Sequence, residues 1–160
     1  TENNDFAEFK RALSLVTTFL CKAIAKDGEG ATKLIECEVV GADNTETARI
    51  IAKSVICSSL VKTAIFGSDA NWGRVLCAIG YSGAAVDTEK VDVSFISSAG
   101  EITVCKQGCG VAFSEEKAKD ILVRDEIKIL VNLNSGSEKA VAWGCDLTYE
   151  YVNINGDYRT

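Results

Sequence analysis

Asp27-Gly28-Glu29-Gly30-Ala31-Thr32-Lys33 sets one carboxylate between two glycines, directly after a segment of helical pattern. Glycine adopts dihedrals that side chains oppose, so the pair bends the chain and presents Glu29 outward. A carboxylate on such a bend can pair with a cationic amine. One glycine is enough to stop a helix, and the second implies a backbone that something approaches closely. Read alone, the segment is equally a C-cap at Gly28 followed by a loop. It also has some likeness to a phosphate-binding loop. However, no glycine precedes Lys33, and the segment follows a helix where a phosphate-binding loop follows a strand. Nucleotide binding is not expected there.

Two further constellations are able to carry chemistry. Residues 62–74 place Lys62, Asp69, Asn71 and Arg74 around Gly67 and Gly73, where a short apolar run gives way to a helix. Free amides at a helix N-terminus bind anionic groups. The alternative at this junction is an Asp or Asn N-cap beside a buried Trp72. The terminal segment, residues 151–160, alternates Tyr151, Val152 and Ile154 with polar groups and ends in Tyr158, Arg159 and Thr160. Frayed tails are polar and unpatterned, so this one is expected to dock, in the manner of a strand.

Absences narrow the chemistry. The 160 residues contain no histidine, so neither a Ser-His-Asp nor a Cys-His arrangement can be built from them. A nucleophile would need a lysine, a carboxylate or an N-terminal amine as its base. The seven cysteines are odd in number and lack a Cys-x-x-Cys pair; Cys57 and Cys77 sit among apolar neighbours. They read as small reduced hydrophobes, with no zinc site and no metal expected. A net charge of −6 and the lack of a basic stripe argue against nucleic acid. No apolar run reaches the length of a membrane span and no signal peptide is visible, so a cytoplasmic protein without membrane association is expected.

Length and composition, with 47% apolar and 25% charged residues, fit one domain over residues 1–160. Helical spacing covers residues 6–26 through Phe6, Phe9, Leu13, Val16, Leu20 and Ile24. A strand follows over 32–40, then a helix over 45–57 capped by Asn44 or Thr45. Residues 61–66 read as a short strand and 71–81 as a helix. A hairpin spans 91–96 and 101–105, and a helix with Glu115 and Glu116 in its first turn covers 114–122. Strands over 126–133 and 140–149 complete an α+β layered domain.

Three motifs occur in order: Asp27-Gly28-Glu29-Gly30-Ala31-Thr32-Lys33, then Leu60-Val61-Lys62-Thr63-Ala64 running into Gly67-x-Asp69-x-Asn71-Trp72-Gly73-Arg74, then Asn155-x-Asp157-Tyr158-x-Thr160. Together they resemble the C-terminal portion of the β-chain of the ornithine acetyltransferase (glutamate N-acetyltransferase) family, over essentially the whole chain. The resemblance implies a layered αββα sandwich. It implies a precursor that cleaves itself before a threonine, which becomes an N-terminal nucleophile with its own amine as base. The implied reaction is ping-pong: N-acetylornithine acetylates the threonine, ornithine leaves, and glutamate accepts the acetyl group in arginine biosynthesis. No cofactor is implied, although some relatives use acetyl-CoA as a co-substrate.

Carried over by position, Glu29, Asn155 and Thr160 match the family's substrate-binding residues. Lys62, Asp69, Asn71 and Arg74 belong to the signature without assigned roles. Thr1 invites comparison with the nucleophile, but Glu2-Asn3-Asn4-Asp5 is polar where the family has an apolar strand. The resemblance therefore implies no catalytic residue in this chain. The nucleophilic threonine and an oxyanion-hole Thr-Gly pair would lie on upstream polypeptide, the α-chain and the N-terminal part of the β-chain, in a higher oligomer. The alternative is a non-catalytic amino-acid-binding or scaffold subunit of the same fold.

Overall fold

Ile35, Cys37 and Val39 alternate with Glu36, Glu38 and Val40 to form β1 (Leu34–Ala42), in a computed structural model that describes residues 4–158. The first set is fully buried, and the glutamates are only partly so. Such a period of two gives a strand one apolar and one polar face. β1 pairs in parallel with β5 (Glu126–Asn132) and antiparallel with β6 (Glu138–Cys145). β2 (Asp92–Ser97) joins the other side of β5, followed by β3 (Gly100–Lys106) and the short β4 (Cys109–Gly110). The result is a six-stranded mixed sheet in the order β4-β3-β2-β5-β1-β6.

The apolar face carries the core. Phe95, Ile127, Ile129 and Val131 meet Ile51 and Val55 of α2 (Thr45–Cys57), Val75 and Ile79 of α4 (Trp72–Gly80), and Ile121 and Leu122 of α5 (Glu115–Leu122). Each such side chain contributes roughly 1.5–3 kcal/mol by leaving water. These helices start where their caps dictate: Asn44, Asn71 and Ser114 each accept a first-turn amide.

The opposite face is polar. There Lys128 bridges Glu36 at 3.0 Å and Glu38 at 2.9 Å, and Trp143 Nε1 donates to Glu36 at 2.8 Å. Lys22 of α1 (Asn4–Lys26) reaches the same Glu36 at 2.8 Å and lies over the Trp143 ring. Burial alone would raise the Glu36 carboxyl, but these donors outweigh it and hold it at about 2. The expected α+β layering is therefore present, and the described residues supply one sheet and one helical layer.

Several expectations need correction. Residues 61–66 are not a strand but most of α3 (Ser59–Phe66). Ser58 caps it, and Val61, Ala64 and Ile65 bury one helical face, a spacing that a short apolar run leaves ambiguous. The strand expected to Tyr149 stops at Cys145, and the tail is a helix, α6 (Tyr149–Asp157), capped by Thr148. The apolar stripe that gives residues 6–26 their helical spacing lies largely open: Phe9, Val16 and Ile24 are 63%, 56% and 75% exposed. Only Cys37 and Cys105 are buried, whereas Cys57 and Cys77 are exposed. Among the described residues no group of His, Cys, Asp and Glu is arranged to hold a metal ion. Also among them, no helix is long and apolar enough to cross a membrane.

Candidate functional site

The chain leaves α1 through a tight turn in which the Ala31 amide donates to the Gly28 carbonyl at 3.0 Å. Glu29 sits second in this turn and Gly30 third, with φ +66°, a position that favours glycine. The left-handed residue is thus Gly30, not the expected cap Gly28. Both glycines are approached closely, and by protein. A Cβ on Gly28 would lie 2.6 Å from Cys145 Sγ, and one on Gly30 would lie 2.9 Å from both Glu150 Cβ and the Tyr151 nitrogen. The second glycine is required by the N-terminus of α6.

The residues that follow the turn are pinned from below. Asp146, 3% exposed, accepts from the Thr32 amide at 2.8 Å, the Thr32 hydroxyl at 2.5 Å and the Lys33 amide at 3.0 Å. Buried Lys33 donates to the Ile65 carbonyl at 2.6 Å and to Ser68 Oγ at 2.8 Å, tying the turn to the end of α3. Burial pushes its ammonium below the ordinary lysine value, and the charge of Asp146 opposes that shift. Thr148 then closes the arrangement by donating to the Gly30 carbonyl at 2.7 Å.

At the surface, Asn155 Nδ2 donates to Glu29 Oε2 at 2.8 Å, joining residues 126 positions apart in the chain. Two of the three expected site residues therefore meet. The third, Thr160, lies outside the described residues, as does Thr1. Glu29 keeps an exposed carboxylate whose remaining lone pairs suit an ammonium group.

The middle motif divides. Lys62 lines a cavity of about 660 Å³ with Gly28, Trp143 and Cys145, beside the glutamate turn. Asp69, Asn71 and Arg74 stand apart from it and join α3 to α4. Asn71 caps α4 and donates to Asp69 at 2.9 Å, while Arg74 donates to the Leu60 carbonyl at 3.0 Å. Trp72 is only partly buried. Sequence reasoning missed Asp146, Thr148 and Lys33. A hydroxyl residue ahead of Glu150 in a first turn is a helix-start signal, hidden by the strand reading of 140–149.

A mixed sheet under a helical layer, with an amide and a carboxylate converging at one turn, defines an α+β layered protein. The ArgJ family model matches residues 1–160, and the chain belongs to that family. It is 56% identical over 160 residues to arginine biosynthesis bifunctional protein ArgJ 1 of Clostridium acetobutylicum, covering all of this chain and 39% of that protein. It is 53% identical over 156 residues to arginine biosynthesis bifunctional protein ArgJ of Caldanaerobacter subterraneus subsp. tengcongensis, with 98% and 39% covered. A crystal structure of the ArgJ protein from Bacillus halodurans superposes with a TM-score of 0.91 at 52% identity, covering 98% of this chain and 72% of that one. The chain thus spans about 39% of the length of the curated relatives it matches.

Proposed function

We propose that this chain is the C-terminal portion of an ornithine acetyltransferase of arginine biosynthesis, and that it supplies part of the substrate site. The observation that carries the reading is the contact of Glu29 with Asn155, in a chain whose relatives are named arginine biosynthesis bifunctional proteins. Glu29 faces the side-chain ammonium of N-acetylornithine and ornithine. Asn155 and Thr160 address the amino-acid end that ornithine and glutamate share: the Asn155 amide protons go to Glu29 and the Tyr151 carbonyl, which leaves its oxygen to accept, and a hydroxyl both donates and accepts.

The chemistry belongs to polypeptide outside these residues. A threonine hydroxyl, deprotonated by its own α-amine, attacks the acetyl carbonyl of N-acetylornithine, and the C–N bond breaks. Ornithine leaves with the proton on its amine. The α-amine of glutamate then attacks the threonine ester and regenerates the hydroxyl. Acetyl-CoA is the second acetyl donor to test, as a co-substrate and not a resident cofactor. The rest of the same precursor, the α-chain and the N-terminal part of the β-chain, covers the polar sheet face and the stripe of α1. The assembly works in the cytoplasm.

Acetyl exchange between N-acetylornithine and labelled glutamate tests the reading in the assembled protein. Labelled N-acetylglutamate should accumulate, and Glu29→Ala should suppress it. Binding of ornithine without any exchange would instead identify an amino-acid-binding subunit of the same fold.

A further inference from the structure

We propose that Thr148 is a positioning residue, whose hydroxyl sets the register of α6 on the glutamate turn and so places Asn155 against Glu29. This rests on the reading of Glu29 and Asn155 as substrate-binding residues. α6 buries none of its own side chains, so no apolar core fixes where it lies. Its described attachments are few: the edge contact of Tyr149 with Phe66, the Asn155–Glu29 hydrogen bond, and Thr148. Of these three residues of the tail only Thr148 is buried, at 6% exposure.

Thr148 does two things with one oxygen. It accepts from the Tyr151 amide at 3.3 Å, which caps the helix, and it donates to the Gly30 carbonyl at 2.7 Å, which ties that cap to the turn. The Tyr151 nitrogen also lies only 2.9 Å from where a Cβ on Gly30 would fall, so turn and helix end are in direct contact. Asn155 follows Thr148 by seven residues, close to two helical turns, and therefore returns to the same face about 10 Å further on. A small rotation at Thr148 is carried along α6 to the Asn155 amide. The cap alone would form the helix without deciding its orientation; the bond to Gly30 decides it.

Substitutions separate the two roles. Ser keeps both hydrogen bonds. Asp caps a helix well but, ionised, has no proton for the Gly30 carbonyl. Val keeps the shape and loses both. In the assembled acetyltransferase, Thr148→Ser should retain the KM for N-acetylornithine. Thr148→Val and Thr148→Asp should raise it on the order of tenfold, the factor associated with one lost hydrogen bond, with a smaller change in kcat. In an Asn155→Ala background the same substitutions should add little to KM.

Amide exchange gives an independent readout, in which Val and Asp should speed exchange at Ala31 and across 151–155 while Ser does not. Equal KM values for Asp and Ser would reduce Thr148 to a helix cap and overturn the inference. Unchanged exchange in Asp and Val, or a full further rise in KM on top of Asn155→Ala, would also overturn it. Faster exchange together with a normal KM for Glu29→Ala alone would leave the tie standing and instead remove the substrate reading of Glu29.

Discussion

Two glutamates on this chain do different work because their neighbours differ. Glu29 is exposed on a turn with one amide partner and remains able to take a cation. Replacing it with Ala in the assembled protein should raise KM for ornithine and N-acetylornithine by roughly ten- to a hundredfold, the range for losing a charge-assisted hydrogen bond. Glutamine should fall between; unchanged kinetics with both substrates would remove the assignment. Glu36 instead is held by Lys22, Trp143 and Lys128, and its carboxyl is lowered from 4.5 to about 2. A depressed carboxyl stabilises the fold fully above its unfolded value and loses that contribution as pH falls through its folded one. Glu36→Gln should therefore cost up to about 3 kcal/mol at neutral pH, with the gap to the parent closing between pH 4.5 and about 2. Urea unfolding across that range measures it, and a gap independent of pH would contradict it.

At the scale of elements, α6 makes the clearest prediction. It carries Asn155 but contributes nothing to the core, so deleting residues 155–160 should cripple turnover while leaving circular dichroism and thermal unfolding nearly unchanged. Full activity after truncation would rule the tail out. What could be read from the sequence follows the strength of local signals. α2, α4 and α5 were legible because an Asn or Ser cap precedes an apolar stripe of helical period. The same was true of the hairpin of β2 and β3 and of the turn at Glu29. Residues 61–66 were not, because six residues with apolar positions at 61, 64, 65 and 66 satisfy either period. The tail was not, because alternating Tyr, Val and Ile imitate a strand when no core sets the face. The paired Glu29 and Asn155 came from resemblance. The clamp at Asp146 and Thr148 depends on contacts across the whole chain, which no local pattern carries.

The whole molecule has one finished face and one unfinished. Helices cover the apolar side of the sheet, while the side bearing Glu36, Glu38, Lys128 and Trp143 and much of α1 stays open. Phe9, Val16 and Ile24 on the stripe, and Leu15 and Phe19 beside it, are each more than half exposed, a larger apolar surface than a finished exterior usually shows. In isolation these 160 residues should bind an apolar dye and self-associate, and co-expression with the remainder of the precursor should abolish the dye binding. Size-exclusion chromatography with dye fluorescence checks this; a dye-silent monomer would show that the stripe is not an interface.

The most direct test of the account is peptide mass spectrometry of the assembled protein after brief exposure to N-acetylornithine labelled in its acetyl group. One labelled acetyl group should appear on a threonine outside these 160 residues, and should be lost when glutamate is added. Label on Thr1 or on any other residue of this chain, or no covalent label at all, would contradict it.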